Sequence, residues 1–301
     1  MTELADPSNS FSKLHVLARD IKLSHSIFAL PWAVFATFLA ARGWPLIGQL
    51  SLIVLCMVTA RTVAMTANRL LDAKLDAVNP RTARRAIPSG ALSPAFATAV
   101  LAVCAGLFIA STAMFWTIYQ NRWPLLLSGP LLLFLMAYPL LKKFTRLCHY
   151  YLGAALGLAP VCAWIAIRGD LTITPLLMGS AVLLWTAGFD IIYACQDYAN
   201  DVACGLFSVP SRIGIGPALW VSRITHLACI ALLIGTGLST SPPLGPLYFT
   251  GVGIAIVLMA IEHSIVKADD LSKVGIAFFT INGIISLLIG TLGVLDVLRL
   301  H

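Results

Sequence analysis

Nine runs of mostly apolar residues, each close to or beyond the roughly 20 residues that carry a helix across a bilayer, constrain this chain more than any other feature. They fall near 24–42, 46–76, 94–118, 123–141, 148–168, 172–200, 217–238, 245–266 and 272–297. Lipid offers no hydrogen-bond partners, so a spanning backbone must satisfy its own, and runs of this length read as helices. Only 11% of the 301 residues are charged and 59% are hydrophobic. That is too little charge to cover a soluble surface, which excludes a soluble enzyme built on similar side chains. The connections are short and carry breakers such as Arg42-Gly43-Trp44-Pro45 and Ser241-Pro242-Pro243. The expectation is an all-α integral membrane protein forming one domain over 1–301, with a polar segment at 1–22 that lacks the pattern of a secretory signal.

Orientation follows from where lysine and arginine fall. One side receives Lys13, Arg19 and Lys22, then Arg81, Arg84 and Arg85, then Lys142, Lys143 and Arg146, then Arg212, Lys267 and Lys273. The other receives Arg42, Arg122, Arg168 and Arg299. The asymmetry predicts a multi-pass protein of the cell inner membrane, with its N-terminus cytoplasmic and its C-terminus outside. The seven cysteines lie scattered, mostly in apolar runs and with no CxxC pair, and read as small buried hydrophobes.

Charge inside the apolar runs is the exception that carries chemistry. Asn68, Asp72 and Asp76 end the long second run at a spacing of four, which places all three on one helix face. Solvated helix-end residues are the plainer reading for one aspartate, less so for three polar groups in strict register. Arg61 lies seven residues earlier on the same face and deeper, where an arginine is costly unless it meets a polar cavity or another helix. A second set, Asp190, Asp197 and Asp201, is spaced by seven and then four at the end of the sixth run. Two facing acidic sets repel unless cations neutralise them, and Mg²⁺ carried on a diphosphate is the simplest neutralising ligand. Arg81, Arg85, Lys142 and Arg212 follow or lie between these sets and supply donors that a departing diphosphate needs. His25, His149, His226 and His263 share no ligand spacing and read as structural.

These residues resemble the UbiA superfamily of intramembrane prenyltransferases along essentially the whole chain. The family's first motif, usually NDxxDxxxD, is matched by Asn68-Arg69-Leu70-Leu71-Asp72-Ala73-Lys74-Leu75-Asp76. Asn79-Pro80-Arg81-Thr82-Ala83-Arg84-Arg85-Ala86-Ile87-Pro88-Ser89-Gly90 is similar to its cap segment, and Tyr138-Pro139-Leu140-Leu141-Lys142 to its YxxxK motif. Asp190 to Asp201 resembles its second acidic motif. The resemblance implies nine transmembrane helices around a central cavity with cytoplasmic cap loops. It implies Mg²⁺-dependent transfer of a chain from polyprenyl diphosphate to an aromatic acceptor within membrane lipid; nucleic acid is not an expected partner. Asn68, Asp72, Asp76, Asp197 and Asp201 would hold metal, and Arg81, Arg85 and Lys142 would meet the diphosphate. Asp190 and Arg61 would sit by the acceptor, and the Tyr138 ring would face the allylic cation.

The expected acceptor is of the 4-hydroxybenzoate type. Two departures stand out: Arg69 replaces the usual second aspartate, which bears on the metal shell, and Lys143 stands where some 4-hydroxybenzoate enzymes have arginine, which weakens the acceptor assignment. The Asn68-Arg69 form of the first motif and the segment Gly205 to Arg212 resemble a bacterial branch that includes enzymes acting on 1,4-dihydroxy-6-naphthoate, the alternative acceptor. A membrane transporter is a more distant reading, disfavoured because the acids cluster on one side and no repeat of broken helices is evident.

Overall fold

The computed structural model describes residues 10–21 and 23–300; Lys22 and the side chain of His25 lie outside that description. The described chain is helical. An amphipathic α1 (Ser10–Asp20) is followed by a 3₁₀ turn at Leu23–Phe28 and then by α2 (Leu30–Ala41). The membrane helices continue with α3 (Ile47–Val78), α4 (Pro94–Tyr119), α5 (Trp123–Leu141), α6 (Cys148–Arg168) and α7 (Ile173–Ala194). Two short helices, α8 (Tyr198–Ala203) and α9 (Val209–Ile213), precede α10 (Ile215–Leu238), α11 (Pro246–Ile265) and α12 (Asn282–Leu300).

Among the described residues, eight helices are long and apolar enough to cross a membrane, and a ninth apolar segment, Ser26–Ala41, is shorter. The first predicted span, 24–42, is therefore not one continuous α-helix. Pro31 sits in the first turn of α2, where a missing N–H costs nothing, and the chain before it winds as 3₁₀. The predicted helix 172–200 also divides, because Cys195–Asp197 tightens to 3₁₀ before α8 resumes the α-helical turn. The predicted 272–297 begins in a π-helical turn, Ile276–Ile281, and runs on to Leu300.

Successive helices pack as neighbours, and α12 closes the ring against α2. The tightest approach is between the antiparallel α6 and α7. A Cβ on Gly153 would lie 2.2 Å from the Leu183 carbonyl oxygen, and one on Gly157 2.4 Å from that of Gly179, so only glycine admits this spacing. An aromatic core of Trp32, Phe35, Trp185, Phe189 and Tyr248 fills the side of the bundle built from α2, α7 and α11. Trp44, Leu133, Trp220, Ile224 and Leu227 are exposed apolar residues that suit lipid rather than water.

The helix α1 does not extend the bundle. Its Leu17 and the following Ile21 pack with Ala86, Ile87 and Leu92 of the α3–α4 connection and with Ala97 of α4. It clasps the segment that the sequence marks as a cap.

Candidate active site

The acids project into the bundle because of where their helices end. On α3 the four-residue register carries Asn68, Asp72 and Asp76 down one face into a cavity of about 780 Å³. Its far wall carries Asp190 of α7, Asp197 at the 3₁₀ turn and Asp201 of α8. The two acidic sets thus face one polar space, as their spacing implies.

Asp72, Asp76 and Asp197 each meet a cation. Lys142, at the end of α5, donates to Asp72 Oδ2 at 2.6 Å. Arg85 donates through one nitrogen to both oxygens of Asp76, at 2.8 and 2.7 Å. Arg81 grips Asp197 with two nitrogens, at 2.8 and 2.6 Å, and donates a third bond to the Tyr193 hydroxyl at 2.9 Å. Burial works against the charge on Arg81, but the bonds to Asp197 and Tyr193 outweigh it and hold its pKa above the usual guanidinium value. Three cations from two connections therefore tie the α3 acids and the α7–α8 acid together. Asp72 is 1% exposed, yet its Oδ1 has no hydrogen-bond partner among the described residues. Such an oxygen is expensive to leave unmatched unless a ligand completes it.

Arg69 has a different task from the acid it replaces. One residue beyond Asn68, it lies about 100° round the helix and points away from the acidic face. It is 4% exposed and donates to Asp20 Oδ2 at 2.9 Å and to the Asp20 carbonyl at 3.0 Å. The other Asp20 oxygen accepts the Ala86 N–H at 3.0 Å, so one carboxylate joins α1, α3 and the cap segment. Arg69 also donates to Asn68 Oδ1 at 2.8 Å. Arginine has no acceptor, so this bond fixes the amide: the Asn68 nitrogen faces the site and donates to Asp72 Oδ2 at 3.1 Å. In this arrangement Asn68 offers the cavity a donor and not the oxygen expected of a metal ligand.

Deeper in the cavity, Arg61, Tyr138 and Asp190 line the wall as expected. Arg61 and Tyr138 also line a second, apolar pocket of about 190 Å³ between α2, α3, α4, α5 and α6. Met65 and Leu156 border both spaces, so the polar cavity adjoins the apolar pocket at this point. Arg212 is the predicted residue that does not reach the cavity. Its guanidinium lies 3.6 Å over the Phe207 ring and donates to the Gly205 carbonyl, folding the loop that follows α8.

His149 is a site residue that sequence reasoning missed. Its Nδ1 lies 2.7 Å from Asp190 Oδ2, and its Nε2 accepts the Val209 N–H at 3.1 Å. The signal was present, since His149, Gly153 and Gly157 are spaced by four and share the face of α6 that meets α7. The partner, 41 residues away, was not legible.

Paired acids and cations in a membrane-spanning helical bundle, beside an apolar pocket, mark the site of a membrane-embedded enzyme. The chain belongs to the UbiA prenyltransferase family, whose model matches residues 29–284. It is 28% identical over 268 residues to the 4-hydroxybenzoate octaprenyltransferase of Marinobacter nauticus, covering 87% of this chain and 88% of that one. It is 29% identical to the 4-hydroxybenzoate solanesyltransferase of Synechocystis sp., over 77% of this chain and 76% of that one. Among solved structures, the apo UbiA homolog from Aeropyrum pernix K1 superposes with a TM-score of 0.81 at 29% identity, over 91% of this chain and 98% of that one. The Archaeoglobus fulgidus homolog bound to DMAPP and Mg²⁺ shares the fold, with a TM-score of 0.70 at 20% identity over 96% of this chain and 100% of that one.

Proposed function

We propose that this protein transfers a polyprenyl chain from polyprenyl diphosphate to the ring of 4-hydroxybenzoate, releasing diphosphate, in quinone biosynthesis. The observation that carries the reading is the junction at Arg61, Met65, Tyr138 and Leu156, where the charged cavity meets the apolar pocket. One end suits a diphosphate and the other a hydrocarbon tail, a combination with no use in a channel for small ions. The names of the Marinobacter and Synechocystis relatives support the acceptor. The lysine and arginine asymmetry supports a cavity mouth and N-terminus on the cytoplasmic side of the inner membrane.

The residues present fit a divalent cation of the Mg²⁺ type. The donor set is all oxygen, and the buried, unmatched Oδ1 of Asp72 is a ligand position waiting for a partner. Asp72, Asp76, Asp197 and Asp201 would hold the metal. When bound it supplies positive charge that stabilises the departing diphosphate. Arg81, Arg85 and Lys142 are tethered to the same acids and would exchange part of those bonds for diphosphate oxygens.

The chemistry left to the chain is positioning and proton transfer. The bond between the prenyl carbon and its diphosphate oxygen breaks with the electron pair leaving on oxygen. Tyr138 presents its ring to the allylic cation at the neck of the pocket. The electron-rich acceptor carbon attacks that cation, forming the new carbon–carbon bond, and Asp190 takes the ring proton that restores aromaticity. Arg61 meets the acceptor carboxylate. The second reading is the same reaction on 1,4-dihydroxy-6-naphthoate, favoured by Lys143 in place of arginine.

Purified protein in lipid would be given a long polyprenyl diphosphate, Mg²⁺ and each acceptor in parallel, with products read by mass. Prenylated 4-hydroxybenzoate is expected, abolished by EDTA and in Asp72→Ala and Asp197→Ala variants that remain monodisperse. Full activity in both variants, or activity indifferent to EDTA, would sink the proposal. Product from the naphthoate alone would move the acceptor to the second reading.

A further inference from the structure

We infer that His149 is a positioning residue that holds Asp190 ready as the proton acceptor, and that its seat depends on the segment after α8. The inference rests on the prenyl-transfer reading and names a residue that reading does not use.

The protonation state of His149 follows from its neighbours. The Val209 N–H can only donate, so the Nε2 it reaches at 3.1 Å carries a lone pair. The ring hydrogen is then on Nδ1, and the 2.7 Å contact with Asp190 Oδ2 is a donation from His149 to the carboxylate. A neutral histidine already bearing its hydrogen on Nδ1 cannot take a proton from Asp190. The pair therefore ends at the aspartate: His149 fixes one carboxylate oxygen, and the other remains to receive the acceptor's proton. Asp190 is 14% exposed and His149 4%, so the base faces the cavity while the histidine stays behind it.

Two features of the fold set this geometry. The Gly153–Leu183 and Gly157–Gly179 approaches bring α6 and α7 into contact along one stripe, and His149 is the next member of that stripe. Val209 opens α9, whose start is braced by reciprocal bonds between Ser208 and Ser211. The same segment follows Asp201, which lines the metal and diphosphate end of the cavity. Movement of that segment on substrate entry would act on the tautomer and orientation of His149, and through it on Asp190.

The test uses full-length protein in lipid with His149→Phe and His149→Asn, since asparagine keeps a donor near the Nδ1 position. Loss of a hydrogen bond to a charged acceptor should lower kcat by about 10- to 100-fold in His149→Phe. KM for polyprenyl diphosphate should stay within about twofold, because ground-state binding is untouched. His149→Asn should recover most of the lost rate. In an Asp190→Asn background, His149→Phe should add less than about a threefold further loss, because the two act as one unit. Unchanged kcat in His149→Phe overturns the inference. So does an asparagine variant as impaired as phenylalanine with KM raised, which marks a packing role. Wild-type protein that makes no prenylated product at all overturns the prenyl-transfer reading itself, a result distinct from either.

Discussion

The clasp at Asp20 makes a quantitative prediction about the cap. Arg69 and Asp20 are 4% and 11% exposed, and Arg69 also holds the Asp20 carbonyl and the Asn68 amide. Removing one member of a buried ion pair costs about 3–5 kcal/mol, and the partial exposure of Asp20 argues for about 3. In Arg69→Met the Asp20 carboxylate keeps, among the described residues, the Ala86 N–H, and local opening of the cap becomes the easier way to solvate it. At about 1.4 kcal/mol per factor of ten, amide exchange at Ala86 and its neighbours should rise roughly 10²-fold. Arg69→Lys keeps a charge, but an ammonium cannot serve the carboxylate, the carbonyl and the amide together. Losing a bond or so, at about 1 kcal/mol each, places that variant near a roughly tenfold rise. Hydrogen–deuterium exchange resolved to residues 79–92, with α10 and α11 as internal standards, reads the effect. Exchange within about threefold of wild type in Arg69→Met would refute the clasp. So would a rise shared equally by α10 and α11, which reports global destabilisation instead of a local one.

Two further outcomes separate the parts of the site. Cys162 lines the apolar pocket; Cys162→Trp should lower kcat/KM for a long polyprenyl diphosphate about 100-fold and for geranyl diphosphate less than about threefold, because overpacking excludes only the longer tail. Competition between the two substrates measures it, and an equal loss for both would remove the pocket from tail binding. Arg81→Ala should lower kcat/KM about 100-fold, since it breaks the grip on Asp197 and removes a diphosphate donor. Arg212→Ala, at a guanidinium folded over Phe207, should cost less than about threefold, and equal losses in a side-by-side assay would overturn that distinction.

Much of this protein is written in local pattern. Runs of apolar residues near bilayer length determine helices, because a backbone in lipid has no partner but itself. The register of Asn68, Asp72 and Asp76 determines a shared face, because the helix repeats every 3.6 residues. The cations of the cap segment and of the α5 terminus were legible as a group for the same reason that the acids were. Which cation meets which acid was not. Lys142 to Asp72 and Arg81 to Asp197 join elements whose order around the bundle no single helix records, and Arg85 meets Asp76 because the cap segment folds back on the end of α3. The division of α2 and α7 shows the limit at shorter range: a hydropathy window spans a proline at the first turn or a 3₁₀ tightening without seeing either. Arg69 and His149 mark it most clearly. Each looks incidental in its own helix, and each is defined by a partner, Asp20 or Asp190, that only packing brings near. Local spacing decided where charge could gather, and the tertiary contacts, set by glycine at the α6–α7 crossing and by the apolar face of α1, decided what each charge does.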